Sequence, residues 1–166
     1  ESTRVTSDQV FAAMGVTALS APRPVKAGEA VFVPTEVLLP GLKRLLDVRR
    51  VVGLRNPAHS LVKLMNPVVG KTLLVSSYTH PEYALSMAAT FELTGERALL
   101  LRGTEGEAVA DARRCPPMEA FVNGQRKALV KGQSGPLTRL PDWPSEIDPE
   151  TTARYSAAVL KGNLAV

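Results

Sequence analysis

Cysteine is nearly absent from this sequence: Cys115 is the only one in 166 residues. A lone thiol closes no internal disulfide and completes no paired-cysteine metal motif, which leaves a reduced thiol in a cytoplasmic protein as the expectation. Long apolar runs are also missing. Runs such as Ala98 to Leu101 fall far short of a bilayer span, and no charged-then-apolar leader opens the chain. A membrane partner is not expected. Acidic residues are scarce in one place: from Gly41 to Lys71 there are seven basic residues (Lys43, Arg44, Arg49, Arg50, Arg55, Lys63, Lys71) and one acid, Asp47. Aromatics make up 5% of the chain, and none lies within that run. A surface built this way suits phosphates rather than stacked bases.

The remainder is ordinary for a globular protein, with 45% hydrophobic and 22% charged residues and a net charge of +4. The length fits one domain with a full core. Ser7 is the expected N-cap of a short helix that Gly15 ends, and 29–34 suits a buried strand. A longer helix runs from Glu36 to Gly53 with Pro40 in its first turn. On it Leu38, Leu42, Leu45, Leu46 and Val52 share one face at ~100° per residue, and Arg49 falls within that stripe. An arginine there needs a buried partner or a cleft to project into. Lys43, Asp47 and Arg50 point the other way.

The stretch 72–78 reads as a strand, followed by a helix with a Thr79/Glu82 capping box and Gly95 at its end, then a strand over 97–103. Strand, helix and strand make a βαβ unit, which predicts an α/β domain with a largely parallel sheet flanked by helices. Asn123-Gly124 marks a hairpin turn. A proline-rich connector carries Trp143, and Asp148 with Pro149 begins a last helix. The 97–103 strand runs into an acidic loop holding Glu105, Glu107 and Asp111. Such a loop is a metal site, the remnant of one, or a set of solvated charges.

The residues 40–67 resemble the corresponding run of anthranilate phosphoribosyltransferase, a glycosyl transferase family 3 enzyme. That family shows His-Pro, Val-Arg, Gly-x-Arg-Thr-x-Phe-Asn and Asn-Pro in order; here Pro40, Val48-Arg49, Gly53-x-Arg55 and Asn66-Pro67 match without a gap. The first helix and the βαβ unit match in the same order, so the likeness spans about residues 5–120. It implies the α/β catalytic domain of the nucleoside phosphorylase and phosphoribosyltransferase type. It also implies that 1–166 is a single such domain from a longer protein, without its N-terminal helical domain and C-terminal end. The intact protein would be a homodimer.

The departures bear on function. The family's Gly-Thr-Gly-Gly-Asp phosphate loop has no counterpart, and the sequence 103–107 only echoes it. The carboxylate pair that holds magnesium in the enzymes falls on Ala108 and Val109, neither of which can bind a cation. Glu105 and Glu107 are displaced from those positions, so the resemblance implies a degenerate metal loop and no metal. Leu39 replaces the histidine before proline, and Ala58-His59 replaces the aromatic-asparagine pair. Arg49 stands where the enzymes contact anthranilate.

The segments 54–64, 80–83 and 99–107 resemble more specifically the YbiB-type relatives, which are nucleic-acid-binding proteins on this scaffold. The leading expectation is therefore a DNA-binding protein, single- or double-stranded, in which Lys43, Arg44, Arg50, Lys63 and Lys71 neutralise backbone phosphates. Arg49, Arg55, His59 and Asn66 form the anion or substrate cleft that the resemblance implies, with no catalytic residue assigned and no cofactor. The rival is a phosphoribosyltransferase that uses Mg2+ with phosphoribosyl pyrophosphate on an anthranilate-like acceptor. In it Arg49 and Arg55 hold the acceptor, and Glu105 or Glu107 a rearranged ion. A scaffold domain with neither property is the third reading.

Overall fold

The computed structural model describes residues 4–104, 108–111, 113–136 and 143–164. The chain divides into two compact units, Glu1–Leu54 with Pro141–Val166, and Arg55–Leu140. Glu105 and Glu107 lie outside the described residues. No helix among those described is long and apolar enough to cross a membrane.

The first unit is helical. Helix α1 (Ser7–Ala13) begins one residue earlier than the sequence suggests, with Thr6 as its N-cap, whose N–H donates to Gln9 Oε1 at 3.0 Å. It packs with α6 (Pro149–Leu160). At the start of α6, the Asp148 carboxylate accepts the Thr151 N–H at 2.7 Å and Pro149 holds the first helical position, as its sequence predicts. The strand expected over 29–34 does not form. Phe32 makes only an isolated bridge to Ala18, and its ring meets Phe11 at 5.7 Å. A lone extended segment without a ladder partner is not a strand.

The long helix is broken. Helix α2 (Thr35–Leu38) stops because Leu39 is extended (φ −155°), as residues before proline tend to be. Helix α3 (Pro40–Val52) restarts with Pro40 at its first position and ends on Gly53, whose φ of 75° is the left-handed stop. Its burial fades toward the C-terminus: Leu42 is buried and Leu46 half-buried, while Val48, Val51 and Val52 are exposed. Arg49 is exposed as well. The helical wheel puts Arg49 on the core side, but in its last turns the helix has no core to face.

The second unit begins with α4 (Ala58–Leu61) and a 3-10 turn, Val62–Leu64. Next come β1 (Leu74–Tyr78), α5 (Pro81–Thr94), β2 (Ala98–Arg102), β3 (Met118–Val122) and β4 (Gln125–Val130). The sheet order is β1-β2-β3-β4. Only β1 and β2 are parallel; β3 and β4 are antiparallel, so the sheet is mixed rather than largely parallel. A single helical crossover makes a single parallel pair. Strands β3 and β4 then close a hairpin at Asn123 (φ 51°) and Gly124 (φ 73°), the two positive values that a tight twisted turn demands. The expected α/β class with helices against the sheet is what the chain adopts.

The cap of α5 also differs from the sequence expectation. Pro81 occupies the first helical position, which makes His80, not Thr79, the N-cap, and no Thr79–Glu82 box closes. Met87, Ala88 and Phe91 of α5 bury against Ala98 and Leu100 of β2 and Phe121 of β3. The Phe91 and Phe121 rings, both essentially inaccessible, lie 5.4 Å apart at 49°. Such a tilted pair adds to the burial of its area. Replacing Phe121 with alanine should cost about 3–5 kcal/mol in denaturant unfolding, because the sheet cannot collapse into the space left. A loss below about 1 kcal/mol would place the core elsewhere.

Candidate functional site

Two places gather the residues that the sequence singles out, one in each unit. In the first unit the basic residues of α3 divide by partner. Lys43 is half-buried and its Nζ donates to Asp47 Oδ2 at 2.5 Å. Arg50 is open to solvent and only 3.7 Å from the same carboxylate. Arg44 and Arg49 are exposed and make no side-chain hydrogen bond or ion pair with any described residue. Asp47 is therefore the local brake on this positive surface. The Lys43 hydrogen bond, with the charges of Lys43 and Arg50, holds its carboxyl below the usual range.

In the second unit an open cleft of about 970 Å³ lies where β1 ends and α5 begins. Arg55, His59 and Lys63 reach it from the segment before β1, and His80, Glu82 and Tyr83 from the start of α5. Each histidine has one nitrogen committed. His59 Nδ1 is 3.2 Å from the Asn56 backbone oxygen, and His80 Nδ1 is 2.9 Å from Thr79 Oγ1. Both Nε2 atoms lack a partner among the described residues, so each can donate to or accept from a ligand. His80 also stands edge-on to Tyr83 with centroids 6.2 Å apart. Arg55 is exposed and unpaired among the described residues.

The fold thus brings Arg55 and His59 together, as the sequence suggests, and adds His80, which sequence spacing could not connect to them. It does not bring Asn66, whose Nδ2 donates to Thr72 Oγ1 at 2.7 Å while its Oδ1 accepts the Val68 N–H. Asn66 shapes its own loop and does not line the cleft. Arg49 belongs to the other unit. Lys63 is half-buried: its Nζ donates to the Ser77 carbonyl at 3.2 Å and its own carbonyl accepts Ser76 Oγ at 2.7 Å. That side chain ties the 3-10 turn to β1. Lys71 is exposed and, like Arg44, unpaired among the described residues.

No group of three or more metal-ligating side chains gathers among the described residues. Asp111, the described acid of the loop after β2, is gripped by Arg113 Nε at 3.0 Å and Nη2 at 2.9 Å. Its carboxyl is pushed down to about 2, first by the Arg113 side chain and then by the Arg113 N–H. A carboxylate so engaged is poorly placed to ligate magnesium, which demands near-octahedral oxygen ligands.

These features define an α/β chain with a cationic helix, on which Arg44 and Arg49 lack partners among the described residues, and a separate basic cleft at a strand end. No protein-family model matches it. The chain is similar to YbiB of Escherichia coli (strain K12), with 36% identity over 166 residues, covering 97% of this chain and 51% of that protein. It spans about half the length of the curated relative that it matches.

Two outcomes check this geometry. Lys63→Met keeps the stem but removes the tie to Ser77, and should lower unfolding stability by about 1–2 kcal/mol; an unchanged midpoint would free Lys63 for another role. For Asp47 the folded pKa is depressed, so its contribution is complete above the unfolded carboxyl value and is lost as pH falls through the folded one. A carboxyl NMR titration of Lys43→Ala should move Asp47 upward toward its usual range.

Proposed function

We propose that this chain belongs to a nucleic-acid-binding protein built on a scaffold resembling the α/β domain of anthranilate phosphoribosyltransferase. The observation that carries the reading is the pair Arg44 and Arg49. They are exposed arginines on one helix that Gly53 ends, with no anionic partner among the described residues, and beside them Arg50 is held only at 3.7 Å. Guanidinium groups left unpaired on a rigid rod offer phosphates forked donors at little cost in ordering. Binding runs along the backbone and is driven by counterion release. It carries little sequence information, because no aromatic residue interrupts the run 43–71 to stack a base.

The cleft of Arg55, His59 and His80 supports a second reading, a phosphoribosyltransferase acting with Mg2+ and phosphoribosyl pyrophosphate on an anthranilate-like acceptor. Magnesium-dependent binding of that diphosphate is its discriminator. The cleft supplies cationic and imidazole groups for an acceptor, but the described residues supply no ligand set for the ion.

Fluorescence anisotropy of a labelled single-stranded oligonucleotide, titrated with the chain over a range of salt, tests the first reading. Affinity should fall steeply with salt. Changing Arg44, Arg49 and Arg50 together to alanine should weaken binding and flatten the log–log salt slope by about 2, at ~0.7 per phosphate on a single strand. Asp47→Asn should strengthen binding at low salt by releasing Lys43 and Arg50. Absence of binding at low salt would overturn the proposal.

A further inference from the structure

A second cleft in the sheet unit, of about 590 Å³, opens at the carboxyl end of β2, and its charged lining is mostly guanidinium. Arg102 ends β2, while Arg113 and Arg114 come from the segment returning to β3. Thr104 and Gln133 add neutral donors. The described acid in the lining is Asp111, and its carboxylate is already held at both oxygens by Arg113. Among the described residues of the lining, three guanidiniums stand against one carboxylate.

The platform beneath those charges is strapped together. The Gln133 N–H donates to the Cys115 carbonyl and the Cys115 N–H to Gln133 Oε1, both at 2.9 Å. Arg114 Nη1 donates to the Gly135 carbonyl at 2.9 Å, which fixes the head and leaves other N–H groups for a ligand. The two segments approach so closely that a Cβ on Gly132 would stand 2.8 Å from Pro117 Cδ. Arg102 is exposed and makes no hydrogen bond or ion pair with any described residue. The lining thus holds one arginine without a partner among the described residues and two anchored ones, beside Pro116 and Pro117.

We propose that this cleft binds the dianionic phosphate of a phosphate monoester directly, with Arg102 and Arg114 as its principal contacts and no metal ion between. The excess of two guanidiniums over carboxylates among the described lining residues matches a dianion better than a singly charged diester. Planar guanidinium forks match phosphate oxygens in pairs. A concave site also accepts a group with one substituent more readily than a mid-strand phosphate with chain on both sides. The ester is either a small phosphorylated molecule or the 5′-phosphate end of a nucleic acid. This inference does not depend on α3.

Calorimetric titration of the chain with inorganic phosphate and with adenosine monophosphate, in EDTA at low ionic strength, tests it. Both probes should bind, and Arg102→Glu should weaken them by about tenfold or more, while Arg44→Ala leaves them unchanged. Binding of the monophosphate should strengthen as pH rises through about 6, where its second proton leaves. A parallel titration compares one oligonucleotide with a 5′-phosphate and with a 5′-hydroxyl. A preference for the phosphorylated end that Arg102→Glu abolishes assigns the cleft to strand ends; equal binding of the two assigns it to small phosphate esters. No binding in EDTA would overturn the proposal. So would unchanged binding in an Arg102→Glu chain with an unaltered circular dichroism spectrum.

Discussion

The packing of Phe91 on Phe121 is the contact on which the sheet unit depends. It joins the crossover helix α5 to a strand that arrives some thirty residues later in the chain. The hairpin tip adds to the same clamp, since a Cβ on Gly124 would come within 2.8 Å of the Glu92 carbonyl oxygen. With α5 held at both its middle and its C-terminal end, its N-terminus is fixed beside the end of β1. The basic cleft of Arg55, His59 and His80 is a consequence of that placement. Polar groups at strand ends stay fixed only if the apolar layer behind them cannot slide.

Helix α3 obeys the opposite logic. Its limits come from local chemistry alone: proline at the start, left-handed glycine at the end. Burial grips only its N-terminal half, through Leu42 and Leu46. A helix fixed at one end and bare at the other presents its last turns to any partner, and those turns hold Arg49 and Arg50 among exposed valines. The lysine nearest the buried end is the one consumed by an internal carboxylate.

Much of this was legible in the sequence wherever the signal was local. Gly53, Gly95, Asn123-Gly124 and Asp148-Pro149 all mark boundaries that the chain respects, whereas Pro40, expected in the first turn of one long helix, begins a second. Proline misled again at the first place of α5, where it moves the cap to His80 and disables the box that Thr79 and Glu82 spell out. Non-local facts were not legible. One parallel pair suggested a parallel sheet, because nothing local announces that the next strand will arrive as a hairpin partner. Arg49 was placed by periodicity, which tells which side a residue takes but not whether a core lies there. His59 with His80, and Arg102 with Arg114, meet only through tertiary structure. The arginines around β2 were further hidden because Glu105, Glu107 and Asp111 balance them in any count of charge.

The two cationic features differ in shape, and shape decides what each can read. A helix surface is convex and gives successive arginines a spacing set by the helical rise, so it meets a polyanion at many equivalent registers and distinguishes them poorly. The cleft at β2 is concave and anchors its cations by separate straps, so it can reject an anion by size as well as charge. Burying part of a phosphate there removes water from both partners. That cost is recovered only when several guanidinium hydrogen bonds form together, as they do for a dianion with three free oxygens. On the readings proposed above, the same count of arginines would give affinity without selectivity on the rod and selectivity within the cleft.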